Sequence, residues 1–404
     1  MDGHMVPPDT ATVPFWLDEP YSPRAPLEGD ASCEVCVIGA GIGGLSAAWR
    51  LAELGVKALV LEAGTVAGGA TGRNGGFFMA GVAPRYDEAC RLWGPETAAR
   101  RYRATLEAQT EMLAIAEAIG ARQEFRLTGV LRVAYDEAEA GRVREHHAAF
   151  VRDGFPGELV PEGALPEVLQ RPGRIGLLTP HDGAVQPARW LRALARALDE
   201  RGVRIREGTR AAGPPTIDGH VVRVETSGGV VRAERVIVAA DGALPALVPA
   251  TAAEVRPRRL NMLATAAESA RLPCPVSIRD GYEYAQQLPD GRVTLGGFSD
   301  LDGDASYTDR EELSIPVQER LTRYLAEDLG VTAPVTHRWV GIVSYAADPV
   351  PTCGPVPGSE DRILAAGGYN GTGHVQGFVA GRIAAELAVT GTSPLAGLYA
   401  KVSS

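Results

Sequence analysis

The chain has 404 residues, more than one hydrophobic core usually organises, so we expect two domains. Hydrophobic residues make up 45% and charged residues 22%, a globular balance, and no apolar run approaches the roughly twenty residues of a membrane helix. The formal net charge of −10 argues against nucleic acid and anionic membranes as partners, because both require basic patches.

The first thirty residues are rich in proline and lack periodicity, which predicts an irregular arm over the surface, anchored by Phe15 and Trp16. Residues 1–18 show no basic segment followed by an apolar segment, so no secretory signal is readable. We therefore expect a cytoplasmic protein.

The five cysteines, an odd number, favour reduced thiols over a disulfide framework. Cys33 and Cys36 have the spacing of a redox or zinc motif, but residues three apart in a strand face opposite sides. No second Cys or His pair lies near them in the sequence. We interpret both as small buried residues and predict no metal site.

Residues 33–62 carry the strongest pattern. A short strand at 33–38 precedes a helical pattern, and a second strand at 57–61 ends in Glu62. Between strand and helix lies a G-x-G-x-x-G turn, which brings a pyrophosphate to the positive helix N-terminus, while Glu62 can bind ribose hydroxyls. A glycine-rich turn can also be purely structural, but the complete unit predicts a dinucleotide site and leaves FAD and NAD open. The residues of this turn are Gly39, Ala40, Gly41, Ile42, Gly43 and Gly44.

The middle of the chain alternates helices and strands. The predicted helices are 95–120, 137–151 and 187–202, and the predicted strands are 125–135, 175–178, 203–206, 221–225, 230–234 and 236–240. In the last third, three strands at 258–265, 282–288 and 292–297 are expected to form one antiparallel sheet, which 335–345 joins after a helix at 317–329. A strand at 362–366, a glycine-rich loop and a helix at 373–389 end the pattern.

The loop GGATGRNGG at residues 68–76 resembles the second FAD loop of the FAD-dependent amine and amino-acid oxidases, which include D-amino-acid oxidase, glycine oxidase and sarcosine oxidase. The nearest pattern is that of γ-glutamylputrescine oxidases, with Thr71 in place of their serine. The stretches FWLD from Phe15, DGAVQP from Asp182 and GGYNGTGH from Gly367 also match in order.

This resemblance implies an α/β fold, in which a Rossmann-like FAD-binding domain is interleaved with an α+β substrate domain built on an antiparallel sheet. The FAD-binding domain would comprise residues 1–80, 175–255 and 346–404, and the substrate domain residues 81–174 and 256–345. It also implies FAD contacts beyond the first turn. Together with Glu62, those positions are Ala63, Gly69, Ala70, Thr71, Arg73, Asn74, Gly75, Gly76, Ala211, Ala240, Gly368, Gly371, Thr372, Gly373 and His374.

A flavin that oxidises an amine needs a dry, aromatic site rather than many acids and bases. The resemblance places the surroundings of the flavin on seven residues of this chain. Core packing is the alternative role of the aromatic residues among them. The seven residues are His374, Tyr284 and Trp339 as catalytic residues and Tyr282, Tyr345, Tyr369 and Thr294 as substrate-binding residues. Usual members have Gly or Asn where Asp241 stands.

Two departures concern lysines of sarcosine oxidases. Thr294 stands where a lysine promotes the reaction with oxygen, and Val375 stands where a lysine binds the substrate carboxylate. The resemblance thus favours an amine whose acid group is distant or absent, and it leaves oxygen or another acceptor open. The cysteine that attaches flavin covalently would fall near Gly341, so we expect non-covalent FAD.

We therefore predict oxidation of a small primary or secondary amine to an imine, which water hydrolyses to an aldehyde or keto product. The alternatives are an amine dehydrogenase that does not use oxygen, an NAD-linked dehydrogenase and a non-catalytic flavin-binding subunit.

Overall fold

The computed structural model describes residues 5–269 and 271–402. Residues 1–4 of the predicted amino-terminal arm and residues 403–404 of the predicted FAD-binding domain lie outside the described residues. The strands, in chain order, are β1 (Ala31–Ile38), β2 (Ala58–Leu61), β3 (Phe77–Phe78), β4 (Phe125–Arg126), β5 (Val130–Val133), β6 (Glu158–Val160), β7 (Gly176–Thr179), β8 (Gly183–Val185), β9 (Arg204–Arg206), β10 (Thr216–Asp218), β11 (Val221–Thr226), β12 (Gly229–Val238), β13 (Val255–Ala267), β14 (Val276–Ile278), β15 (Glu283–Gln287), β16 (Arg292–Gly297), β17 (Val335–Ala346), β18 (Thr352–Pro355) and β19 (Ile363–Gly367). The α-helices are α1 (Ile42–Glu53), α2 (Tyr86–Trp93), α3 (Pro95–Ala118), α4 (Glu137–Asp153), α5 (Pro187–Glu200), α6 (Leu244–Leu247), α7 (Ile315–Glu327) and α8 (Gly373–Thr390).

The first sheet has a parallel centre in the order β19, β12, β1, β2 and β9. Alternate residues of β1 face opposite sides, as the strand period of two requires. Val35 and Val37 pack with α1, α5 and α8, whereas Cys36 and Ile38 belong to a core on the other face. The predicted strand, turn, helix and strand at residues 33–62 are confirmed.

One strand of this sheet differs from the prediction. The segments 230–234 and 236–240 were expected as separate strands, but they are one strand, β12. Its first half forms the predicted hairpin with β11, and its second half pairs with β19. Long-range pairing on both sides keeps the strand continuous, and such pairing leaves no local signal in the sequence.

The second sheet has the order β17, β13, β16, β15, β14, β5, β7 and β6. The predicted antiparallel arrangement of β13, β15, β16 and β17 is confirmed. Helix α7 packs on one face, where Leu321 and Leu325 meet Leu263 and Leu295.

The predicted strand at 125–135 is wrong as one element. It is divided into β4, in a small third sheet with β3 and β8, and β5, in the second sheet. Gly129 adopts a φ of 76° and donates its backbone N–H to the carbonyl of Asp182 at 3.0 Å. This left-handed turn redirects the chain from one sheet to the other.

Strand β7 pairs with β5 and β6 in the second sheet, although the segment 175–255 was expected in the FAD-binding domain. The domain division itself stays a prediction. Among the helices of the described residues, none is both long and apolar enough to cross a bilayer.

The amino-terminal arm is anchored as predicted. Its backbone donates to the edge of β17, from Val6 to Val335 and from Thr12 to Arg338, each at 2.8 Å. Trp16 is 1% exposed, so the aromatic pair is part of the core.

Candidate functional site

The turn between β1 and α1 requires glycine at two positions. Gly39 has a φ of 109°, and a Cβ there would lie 2.4 Å from the carbonyl oxygen of Ala239. A Cβ on Gly44 would lie 1.8 Å from the carbonyl oxygen of Gly39. Strand β12, the turn and the first turn of α1 are therefore in backbone contact, as a close-packed dinucleotide turn requires.

Gly41 borders the second glycine-rich loop. A Cβ on Gly41 would lie 3.0 Å from Oγ1 of Thr71, and this hydroxyl accepts a hydrogen bond from the backbone N–H of Ile42 at 3.1 Å. The predicted residues of the two loops, Gly39 to Gly44 and Gly69 to Thr71, thus come together at the amino end of α1. Backbone N–H groups at such a helix end attract phosphate.

Glu62 lies beside this turn. Its two carboxylate oxygens accept hydrogen bonds from the backbone N–H groups of Ala40 and Gly64, each at 2.8 Å. Burial raises the pKa of Glu62, and these hydrogen bonds oppose the rise. Ala63 is exposed next to it, and Ala211 lies in a short bridge to Thr226, on the segment that bonds Glu62 through Thr209.

Asn74 shapes the second loop from within. Its amide Nδ2 donates to the carbonyl of Thr71 at 2.8 Å, and its Oδ1 accepts from the N–H of Gly76 at 2.7 Å. Its own carbonyl accepts from the indole Nε1 of Trp16 at 2.7 Å. The predicted residues Asn74 and Gly76 therefore hold the loop conformation, and the arm takes part in it.

Arg73 joins the same loop to the second sheet. Its Nε donates to the carbonyl of Gly68 at 2.8 Å, and its Nη1 pairs with Glu311 at 2.8 Å. The backbone carbonyl of Arg73 accepts from Nε1 of Trp339 at 2.9 Å. Trp339, predicted as catalytic, thus uses its only polar group to position this loop.

One face of the second sheet lies against the loop. The register of β13, β15, β16 and β17 places seven residues on this face, and the alternate residues face α7. Tyr284 approaches Phe77 edge to face at 6.0 Å, and Gln286 donates from Nε2 to the carbonyl of Gly75 at 2.6 Å. The seven positions are Met262, Ala264, Tyr284, Gln286, Thr294, Gly296 and Trp339.

Sequence reasoning missed Gln286, which also accepts from Arg126 at 2.9 Å. A glutamine in an alternating strand carries no signal of a loop contact 211 residues away. Thr294, which was predicted, is 1% exposed, and its hydroxyl has no hydrogen-bond partner among the described residues.

The glycine-rich loop before α8 brings the predicted aromatic residues to the turn. The Tyr369 hydroxyl lies 3.0 Å from the position a Cβ would take on Gly43, and it is buried without a partner among the described residues. The Tyr345 hydroxyl lies 3.2 Å from the corresponding position on Gly371. Tyr282 is 41% exposed under Arg279, at the rim rather than in the interior.

A family model described as DAO, FAD dependent oxidoreductase, matches residues 34–387. The chain belongs to this family. The predicted family and fold class are confirmed, and the NAD-linked alternative is set aside, because the family is FAD-dependent.

Two curated relatives match most of the chain. The chain is 29% identical to the probable oxidoreductase OrdL of Rhizobium meliloti, over 94% of this chain and 87% of the relative. It is 28% identical to γ-glutamylputrescine oxidoreductase of Escherichia coli, over 91% and 86%. Among solved structures, glycine oxidase from Geobacillus kaustophilus superposes with a TM-score of 0.75 at 20% identity, covering 91% of this chain and 98% of that one.

Several buried polar atoms fit a polar cofactor. The hydroxyls of Thr294 and Tyr369 and both ring nitrogens of His374 have no partner among the described residues. Buried polar groups are nearly always satisfied, so these atoms mark where a ligand supplies hydrogen bonds. With the glycine cradle at Gly39 to Gly44, they fit FAD.

His374 is neutral at physiological pH. It lies in the first turn of α8, and burial lowers its pKa to about 4. One ring nitrogen must therefore carry a proton and the other a free lone pair.

The last predicted loop is fastened to Asp241, which follows β12 and the predicted contact Ala240. Asp241 has a φ of 43° and accepts a hydrogen bond from the Ser344 hydroxyl, which itself accepts from the N–H of Gly368 at 2.7 Å. Burial raises the pKa of Asp241 to about 6, and the hydrogen bonds from Ser344 oppose this rise. A titratable group thus stands at the junction of β12, β17 and the glycine-rich loop before α8.

A cavity of about 270 Å³ lies between the amino-terminal arm and the turn of the β15–β16 hairpin. Its charged groups are paired with one another: Arg189 with Glu19, Arg292 with Asp290, and His337 with Asp18.

We predict that Asp241→Asn stabilises the protein above about pH 6 and not in acid. The folded state binds the Asp241 proton more tightly than the unfolded state, so the free energy of unfolding falls as the pH rises from about 4 to about 6. Asparagine keeps the hydrogen bond and tolerates positive φ without the charge. Because Asp241 is partly exposed, we expect a gain of about 1–2 kcal/mol at pH 8.

Urea unfolding of the FAD-loaded protein at about pH 4.5 and pH 8 checks this prediction, with wild type measured alongside. An equal difference between variant and wild type at both pH values would contradict it.

Proposed function

We propose that the protein oxidises the C–N bond of a small primary or secondary amine to an imine, which water hydrolyses to an aldehyde or keto product. The observation that carries this proposal is the face of the second sheet against the glycine-rich loop at residues 68–76, which bears Tyr284, Thr294 and Trp339 and no carboxylate among its seven positions. The E. coli relative, named for γ-glutamylputrescine, supports an amine substrate.

Bound FAD would supply the chemistry, because it accepts the two electrons and the hydrogen that leave the α-carbon as the C–N single bond becomes an imine. The side chains of this chain exclude water and orient the amine. Tyr284 and Tyr345 form walls, and their pKa values are raised first by burial, so both stay protonated. His374 holds one proton on a neutral ring, and Trp339 fixes the loop through the carbonyl of Arg73.

The proposal extends to the acceptor and the cofactor bond. We propose that FAD is held non-covalently and that oxygen, giving hydrogen peroxide, or another acceptor takes the electrons. An amine dehydrogenase that does not use oxygen and a non-catalytic flavin subunit stay as alternatives. The cytoplasmic location and the exclusion of nucleic acid and membrane partners stay predictions.

An amine panel tests the proposed function. The purified protein should be yellow, and its flavin absorbance should bleach under anaerobic conditions with at least one small amine. Bleaching by any amine excludes the non-catalytic alternative. A flavin that no primary amine, secondary amine or amino acid bleaches would contradict the proposal.

We predict that Glu62→Gln weakens FAD retention by about ten- to a hundredfold, because a charge-assisted bond to ribose is worth about 1.5–3 kcal/mol. Glutamine keeps one acceptor for the backbone of Ala40 or Gly64, which protects the fold. Flavin content after gel filtration measures the effect, and Glu34→Gln, a carboxylate on exposed β1 surface, is the control.

The same preparation tests the cofactor bond, because acid should release all flavin from the wild-type chain. Flavin that stays on the denatured chain would refute non-covalent binding. Equal flavin content in Glu62→Gln and wild type would refute the ribose contact.

We predict that Thr294→Lys speeds the reaction of reduced protein with oxygen without improving amine oxidation. A positive charge in a dry site stabilises developing superoxide, and neither Thr294 nor neutral His374 supplies one. Stopped-flow bleaching by amine and recovery in air measure the two half-reactions separately. Thr294→Val, which keeps the shape and adds no charge, is the control. Wild-type recovery that is already fast and unchanged by Thr294→Lys would contradict the prediction.

A further inference from the structure

Arg258 lies on the same face of the second sheet as the proposed substrate site. It stands opposite Val343 in the register of β13 and β17, and Met262, four residues further along β13, stands opposite Trp339. Even steps along a strand keep one face, so Arg258 shares the face of Met262 and Trp339. The adjacent Arg259 faces the other side, where Asn261 bonds to α7.

Arg258 has no carboxylate partner within ion-pair distance among the described residues. Its Nε and Nη2 donate to the hydroxyls of Ser306 and Ser299, each at 3.1 Å. The neighbouring arginines are paired, Arg259 with Asp302 at 2.9 Å and Arg279 with Asp300 at 2.8 Å. Arg258 is therefore an oriented cation without a described carboxylate partner. Arg256, two residues earlier on β13, also lacks one but is exposed, over the ring of Tyr307.

Two aromatic rings also lie next to the guanidinium group of Arg258. The Cζ atom lies 5.0 Å from the ring centre of Tyr345 and 5.1 Å from that of Tyr307. Nη1 donates to none of the described residues, and it is not sealed from solvent. Two hydroxyl bonds and two rings fix the group, so Nη1 and the second proton of Nη2 are ready for a planar anion.

The position of Arg258 is within electrostatic reach of the site. Burial raises the pKa values of Tyr284 and Tyr345, and the charge of Arg258 opposes both rises. Tyr345 itself touches the loop before α8 at Gly371. Arg258 thus lies beside Tyr345, on the face of the second sheet that carries the proposed substrate site.

Three inner positions of the proposed substrate site offer no cation to an acid group, and Arg126, which borders the same face, already donates to Gln286 and to the carbonyl of Gln287. Val375 in the first turn of α8 is apolar and 1% exposed, Thr294 is uncharged, and His374 is neutral. A carboxylate on the reacting carbon would be buried there without a charged partner, which is unfavourable. A carboxylate several bonds away would reach Arg258 instead.

We propose that Arg258 binds a carboxylate at the far end of the substrate, so that the substrate is an amine with a distal acid group rather than an α-amino acid. This inference rests on the proposed amine oxidation and names its substrate class. Arg258 then determines specificity and takes no part in the chemical step.

Matched substrates test the proposal on the holoenzyme. We would compare ω-amino carboxylates of increasing chain length with alkylamines of equal length, for wild type, Arg258→Gln and Arg258→Lys. Wild type should prefer one length of amino carboxylate. Arg258→Gln should raise KM for it by about ten- to a hundredfold with little change in kcat, and Arg258→Lys should restore part of the loss.

Alkylamines should react equally well with all variants. Arg323→Gln, which removes an exposed arginine of α7, is the charge control and should change nothing. Equal losses for alkylamines and amino carboxylates in Arg258→Gln, or a wild-type preference for alkylamines or α-amino acids, would overturn the proposal.

A binding measurement separates this inference from the proposed function. Glutarate, a dicarboxylate without an amine, should perturb the flavin spectrum of wild type and bind at least tenfold more weakly to Arg258→Gln. If this holds while no amine bleaches the flavin, the anion site stands and amine oxidation fails. If amines bleach the flavin and glutarate binds equally well to wild type and Arg258→Gln, the proposed distal-carboxylate site is wrong.

Discussion

Three consecutive backbone carbonyls of the glycine-rich loop at residues 68–76 connect this loop to the amino-terminal arm and to the second sheet. Those of Arg73, Asn74 and Gly75 accept hydrogen bonds from Trp339, Trp16 and Gln286, at 2.9, 2.7 and 2.6 Å. The donors come from β17, the amino-terminal arm and β15. One loop therefore fixes the distance between the glycine turn and the second sheet, and the cleft between them takes its shape from these contacts.

The local part of this arrangement was predictable from the sequence. The turn at Gly39 to Gly44 needs glycine for steric reasons that involve its own neighbours, so the motif, its helix and Glu62 are where the pattern places them. The alternating strands of the second sheet are equally visible, because residues that pack against α7 alternate with residues that face the cleft.

The remainder depends on contacts between distant parts of the chain. The hydrogen bonds from Gln286 and Trp16 to the loop join residues far apart in the chain, so no sequence spacing predicts them. Gly129 divides a segment whose alternating pattern predicts a single strand. Arg258 is one of many arginines in the sequence, and only its position beside Tyr345 on the cleft face, without a described carboxylate partner, sets it apart. The pKa of Asp241 likewise follows from burial and not from its neighbours in sequence.

The divided pairing of β12 has a consequence for assembly of the chain during synthesis. Its second half, Val236 to Val238, ends at residue 238, whereas its partner β19 begins at residue 363. Until the ribosome has released that partner, an apolar parallel strand presents an open edge, which is the kind of edge that other chains add to. Strands β13 to β17 of the second sheet are synthesised in this interval. One edge of β12 therefore stays unpaired until the carboxyl-terminal strand has been synthesised. Chains cut short before residue 363 should aggregate rather than fold.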